Sequence, residues 1–229
     1  MAAAVFPIAT QFLTSAKNLS VSEQIKEQKK LLSEKWDTSR CIAYFQAHSN
    51  TYAPLSVLKP LYEEALAEEG VVGINIATRA DCLADDVVEY LAELAERTVL
   101  TVELGLQSVH DRTADFINRG HSFADAINAA EQTKARDIEF GAHFILGLPG
   151  ESREQLIEQT TQINRLRPNF IKFHQLQIYH STPMAEEWLS HPERFLFNAN
   201  YSVDDHLQLM VDIICRLDPN IAIERIAST

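Results

Sequence analysis

The chain has 229 residues, 46% of them hydrophobic and 23% charged, the balance of an ordinary globular domain with room for a sizeable core. With 32 acidic against 20 basic residues its formal charge is −12, which argues against strong nonspecific binding to nucleic acid. No apolar run approaches the roughly 20 residues that cross a bilayer, the start carries no basic leader, and the three scattered cysteines suit a reducing compartment, so the expected location is the cytoplasm.

In chain order, Ser20 followed by Glu23 is a capping box, and it opens a helix with Val21, Ile25, Leu32 and Trp36 on one face. Cys41 to Phe45 is a short, partly β-branched and aromatic run and reads as a buried strand. Pro54 starts a helix with Leu55, Leu58, Leu61, Tyr62 and Leu66 inward. The same unit then recurs. A strand over Val71 to Ala77 precedes a helix from Ala84 to Arg97. A strand over Val99 to Gly105 precedes helical turns from Arg112 to Asn118, closed by Gly120, and a helix from Phe123 to Arg136. A strand over Ile138 to Leu146 precedes a helix from Arg153 to Leu166, stopped by Pro168. A strand over Phe170 to Tyr179 precedes helices near Met184 and from Val203 to Leu217, and Ile221 to Ile226 is a last strand.

About six strands alternating with helices imply parallel pairing with right-handed crossovers. Lys172, His174 and Leu176 alternate on one strand face, as do Thr101 with Glu103 and Gly141 with His143. Strands covered on both sides by helices are nearly all apolar, whereas the inner face of a ligand-holding barrel admits polar side chains. The pattern therefore favours an α/β fold in the form of a parallel (β/α) barrel with a polar inner face.

In such folds ligands gather at the carboxyl ends of the strands. Those ends carry amides, hydroxyls and histidines, a set suited to a polar, nucleoside-like ligand. No Walker A sequence, GxSxG elbow or HExxH is present. In Gly147-Leu148-Pro149-Gly150, two glycines flank an apolar pair, which allows a sharp turn and a close approach of backbone to ligand.

The stretches FGAHFILGLPGE (residues 140–151) and VELGLQSVHD (102–111) resemble the fifth- and fourth-strand motifs of radical S-adenosylmethionine (radical SAM) enzymes. NRGHSFA (118–124), AYFQAHSNTYAP (43–54) and KFHQLQ (172–177) resemble the YhcC-like subgroup, which is related to the elongator catalytic subunit. The resemblance runs from about residue 20 to 226. It implies a partial, TIM-like parallel barrel with SAM and a 4Fe–4S cluster at the strand tops. By that resemblance Gln46 and the loop through Asn50 to Thr51 meet the SAM amino group. Glu103, Gln107 and Ser108 meet its ribose or carboxylate, and the turn with Gly147, Pro149 and Gly150 flanks the adenine. Thr78, Arg79 and His143 line the same lumen, with Lys172 and His174 towards the substrate.

The family's defining element is a CxxxCxxC loop after the first strand, whose three thiolates hold the cluster. The residues ahead of Ser20 contain no cysteine, and Cys41, Cys82 and Cys215 lie far apart. Residues 1–19 thus read as an atypical N-terminal segment and 20–229 as the barrel core, with the first strand missing or substituted. A missing first strand leaves Cys41 to Phe45 as a bare edge open to self-association, unless Val5 to Leu13 serves as a stand-in strand or plug. The subgroup also normally continues beyond the region of Ile226.

Three readings follow. The first is a fragment or alternative-start form of a radical SAM enzyme, inactive as a radical generator in this form. The second is a cluster-free module that binds SAM or another nucleotide. The third is a metal-dependent barrel hydrolase using Glu103, His143 and His174. No metal is expected on the first two, and a 4Fe–4S cluster belongs to intact relatives. Elongator-type relatives act on transfer RNA, which the acidic charge here does not support.

Overall fold

The computed structural model describes the backbone of residues 4–8 and then residues 19–226. Its contacts cluster into two compact units, one of Met1–Gly105 with Glu131–Phe140, the other of Leu106–Ala130 with Gly141–Thr229.

The first unit holds β1 (Ala4–Ile8), α1 (Val21–Ser33), β2 (Cys41–Phe45), α2 (Leu55–Ala67), β3 (Val71–Thr78), α3 (Asp85–Ala95) and most of β4 (Val99–Gln107). The strands run in the order β1-β2-β3-β4, and every pair is parallel. The capping box expected at Ser20 is formed, with Ser20 Oγ accepting from the Glu23 N–H and the Glu23 carboxylate accepting from the Ser20 N–H. Phe45, Ile74, Ile76, Val102 and Leu104 are sealed from solvent, as are Leu91 and Leu94 of α3. Tyr62 of α2 meets Phe45 edge to face at 5.1 Å between ring centres. Each such side chain contributes about 1.5–3 kcal/mol by burial.

The second unit adds α4 (Asp111–Phe116), α5 (Phe123–Lys134, ending in the first unit), β5 (Glu139–Leu146), α6 (Arg153–Glu158), α7 (Thr160–Leu166), β6 (Phe170–Gln175), α8 (Pro183–Ser190), α9 (Val203–Ile214) and β7 (Ala222–Arg225). β6 lies between β5 and β7, parallel to both. Ala142, Phe144, Leu146, Ile171 and Phe173 form one fully buried strand face, with Leu156, Ile163, Leu209 and Ile213 of the helices also sealed. The alternate residues His143 and His174 are left half-buried on the other face, as the period-two pattern requires.

The stand-in strand expected over the edge at Cys41 to Phe45 is present in part, and three other expectations need correction. The predicted bare edge is occupied, because β1 pairs with β2 in parallel from Ala4 opposite Cys41 to Ile8 opposite Phe45. A substitute first strand therefore exists over Ala4–Ile8, ahead of the six expected strands, which are β2 to β7. The remainder of the proposed stand-in, residues 9–13, lies outside the described residues. Trp36 is 59% exposed, since α1 ends at Ser33 before the helical repeat brings it inward. The helix over Arg153 to Leu166 is broken at Gln159, and β6 stops at Gln175 rather than Tyr179.

Candidate functional site

In the first unit, Glu103 is 1% exposed. Tyr44 donates its hydroxyl to Glu103 Oε2 at 2.6 Å, and Asn75 Nδ2 donates to Oε1 at 3.3 Å. Tyr44 is on β2, Asn75 on β3 and Glu103 on β4, so the Tyr44–Glu103 bond passes across the face of β3. A carboxyl group so buried is costly without hydrogen-bond partners of this kind. Both of its oxygens have one, which fixes where the carboxylate points.

The loop after β2 is knitted to the end of β3. Asn50 Nδ2 donates to the carbonyls of Phe45 (2.8 Å) and Ala77 (2.9 Å), and its N–H also reaches Ala77 O at 3.1 Å. Thr51 and Thr78 share a hydroxyl contact of 2.5 Å, and Thr51 Oγ1 donates to Cys82 O. Asn50, Thr51 and Thr78 are each under 5% exposed, so these groups brace the strand tops. Gln46, by contrast, follows β2 and is exposed. Arg79 forms a two-pronged pair with Asp81 at 2.8 and 2.6 Å.

In the second unit, Gln107 ends β4 with φ +70°. The Ser108 N–H donates to Leu106 O at 2.9 Å, closing a three-residue γ-turn around Gln107. Ser108 Oγ then donates to Glu151 Oε1 at 2.5 Å and accepts the His110 N–H at 3.0 Å. Glu151 is 4% exposed. Burial pushes its carboxyl above the usual carboxylate range, against the opposing pull of Ser108, Thr113 and His110. The GLPGE turn is therefore tied to the loop after β4.

Gly147 and Gly150 have φ of +85° and +84°. The Phe197 ring packs on Gly147 so closely that an added Cβ would lie 2.5 Å from Phe197 Cδ2. The Gly150 N–H donates to Arg194 O at 2.7 Å. Pro149 is buried beside them.

His143 and His174 stack with ring centres 5.5 Å apart and planes at 26°. Lys172 stands opposite His143 in the β5–β6 register, 6% exposed, and pairs with Glu224 of β7 at 3.0 Å. A buried ammonium needs such a partner.

The predicted residues thus form separate groups. Asn50, Thr51 and Thr78 come together in the first unit, as do Ser108 with the Gly147–Gly150 turn, and His143, His174 and Lys172, in the second. Gln46 and Arg79 join none of these groups. Tyr44, Asn75, Glu151 and Phe197 were not assigned from the sequence. Alternation was the available signal for the first two, since Tyr44 and Asn75 sit one step of two before Gln46 and Ala77.

The three cysteines do not assemble. Cys41 is buried at the start of β2, where its thiol donates to Gly70 O at 3.6 Å; Cys82 is buried in the turn after β3; Cys215 is exposed at the end of α9. Burial raises the thiol pKa of both Cys41 and Cys82, which disfavours the thiolate that a cluster requires. Among the described residues no group of three or more His, Cys, Asp or Glu is placed to hold a metal ion, and no helix is long and apolar enough to cross a membrane.

Residues 11–159 match the family model of the radical SAM superfamily. The chain is 43% identical over 203 residues to YtqA of Bacillus subtilis, covering 89% of this chain and 62% of YtqA. It is 34% identical over 170 residues to YhcC of Escherichia coli, covering 74% of this chain and 54% of YhcC. The chain thus spans between about half and two thirds of these relatives' length. The solved structure of Elp3 from Methanocaldococcus infernus superposes with a TM-score of 0.74 at 17% identity, over 98% of this chain and 57% of that one. That likeness shows the fold class, α/β with the partial parallel barrel of radical SAM proteins. On the family match and the identity to YtqA and YhcC together, the chain belongs to the radical SAM superfamily.

Proposed function

We propose that this chain is a radical SAM barrel core that binds S-adenosylmethionine, or a nucleoside like it, and that on its own it does not generate a radical. The observation that carries the second half is the cysteine set. Two thiols are buried at different strand ends and the third is exposed on a helix, so three thiolates cannot meet one 4Fe–4S cluster. The cluster does not fit the residues present, and no step is derived through it. A cytoplasmic setting agrees with three free thiols.

The SAM half rests on the chemistry of the donors. Glu103 is a carboxylate held in place by Tyr44 and Asn75, a ready acceptor for ribose hydroxyls or an ammonium. Gln107 is thrown out of the strand line by its γ-turn, which presents an amide to a ligand. The turn at Gly147 offers backbone groups to a flat base, and the Ser108–Glu151 bond keeps the two loops in register. Bound SAM supplies an activated adenosyl and methyl sulfonium. The protein side holds and orients it.

Two measurements test this reading. Anaerobic treatment with iron and sulfide should give no broad iron–sulfur absorption; a stoichiometric cluster would overturn the inactive assignment. Titration calorimetry should show SAM binding that weakens about tenfold in Glu103→Gln, the loss of one charge-assisted contact. Absence of heat and of thermal shift at millimolar SAM would remove the binding assignment.

A further inference from the structure

A cleft of about 460 Å³ opens in the second unit beside the GLPG turn. Its walls come from α4 and from the first turn of α6, with Pro149 and Gly150 between them and Arg194 opposite. The side chains α4 and α6 contribute do not belong to the polar strand faces, so this cleft is distinct from the group around His143 and His174. The volume is in the range of small-ligand sites.

Three observations give it a chemistry. The Arg194 guanidinium lies 4.5 Å from the centre of the Phe116 ring, and Phe116 is 37% exposed. This makes a flat cationic and aromatic platform, with Arg194 held from behind by Glu187. Arg112 lines the same cleft, is exposed, and makes no ion pair among the described residues, although the chain carries 32 acidic side chains. His110 Nε2 is buried in the wall without a hydrogen-bond partner. The one carboxylate lining the cleft is Asp115. A planar ring extends an arginine–aromatic stack, and an unpaired arginine takes a phosphate.

We propose that this cleft binds a nucleoside monophosphate unit, with the base on the Phe116–Arg194 platform and the phosphate on Arg112. The same chemistry is offered by a free nucleotide and by one residue of a single-stranded RNA. At the level of the whole chain, the charge of −12 opposes a long RNA track, so recognition rests on this one cleft.

The test uses the full chain with AMP, adenosine and a single-stranded tetranucleotide as probes, read by calorimetry. Arg112→Gln and Phe116→Ala alter exposed side chains, and circular dichroism confirms that each variant keeps its fold. Arg112→Gln should weaken AMP about tenfold and leave adenosine unchanged. Phe116→Ala should weaken both AMP and adenosine. Tighter binding of the tetranucleotide identifies RNA as the source, and tighter binding of AMP a free nucleotide. Saturating SAM should leave AMP binding intact. No binding of either phosphorylated probe in the millimolar range, wild-type AMP affinity in both variants, or displacement by SAM would each overturn the site.

Discussion

Gln107 is held where a side chain is costly. Its φ of +70° and the γ-turn around it are strained for any residue but glycine, a strain of order 1–3 kcal/mol. Gln107→Gly should therefore leave stability unchanged or raise it by up to about 1 kcal/mol, while weakening SAM binding. Urea unfolding and calorimetry on one preparation check both halves; a clear loss of stability would show that the angle costs little. Gly147→Ala has the opposite sign. It combines a positive φ with a clash against Phe197, and should cost roughly 2–4 kcal/mol. Adding Phe197→Ala relieves the clash alone, so the double variant should recover part of that loss.

Glu151 makes stability pH-dependent. Its carboxyl is raised above the unfolded value by burial, so the folded state holds the proton more tightly. Its contribution is fully present below the unfolded value and is lost as pH rises through the raised folded value. Glu151→Gln, which keeps an acceptor for Ser108, should flatten the decline in stability on going from acidic to neutral pH. Denaturant midpoints measured across that range read it directly, and parallel curves for the two proteins would rule the effect out.

At the scale of elements, Asn50 bridges two strand ends. Asn50→Ala leaves the Phe45 and Ala77 carbonyls without its amide and should cost about 2 kcal/mol. The edge of β2 makes a second case. Pro7 lacks a backbone N–H, which an edge strand tolerates because one row of its groups faces outward. Removing residues 1–8 should speed amide exchange across Cys41–Phe45 and promote self-association, seen by mass-resolved exchange and sedimentation. Unchanged exchange would show that β1 protects nothing.

The repeat of strand and helix was legible because the apolar spacing of β2 to β6 and their helices is regular. β1 was legible only from the need to cover the edge of β2, since its Pro7 argues locally against a strand and its pairing with β2 is a long-range contact. Trp36 looked inward by spacing but falls beyond a helix that ends at Ser33. The break at Gln159 carries no proline or glycine to announce it. At the candidate site, motif and alternation pointed to Glu103, Ser108 and the glycine turn. Their partners were hidden, because Tyr44 meets Glu103 across an intervening strand and Glu151 meets Ser108 from a distant loop. Such pairings depend on register and curvature that no local pattern encodes.

At the scale of the whole molecule, the family membership and the cysteine distribution pull in different directions. The fold is that of the radical SAM superfamily, and the three cysteines stand apart from one another in it. On the function proposed above, the chain binds SAM without turning it over. SAM incubated with the reduced chain should therefore yield no 5′-deoxyadenosine by chromatography.

The contact of Phe197 with Gly147 has a temporal consequence. The ring that roofs the turn comes from beyond both β6 and α8, so a growing chain makes the turn well before it makes the roof. β5 and β6 can pair, and Ser108 can reach Glu151, as soon as these segments have left the ribosome, while the Gly147 backbone stays uncovered until Phe197 arrives. The turn is thus completed only after β5, β6 and α8 have all been made. A nascent chain halted between α8 and Phe197 would carry the strands in place and Gly147 without its covering ring.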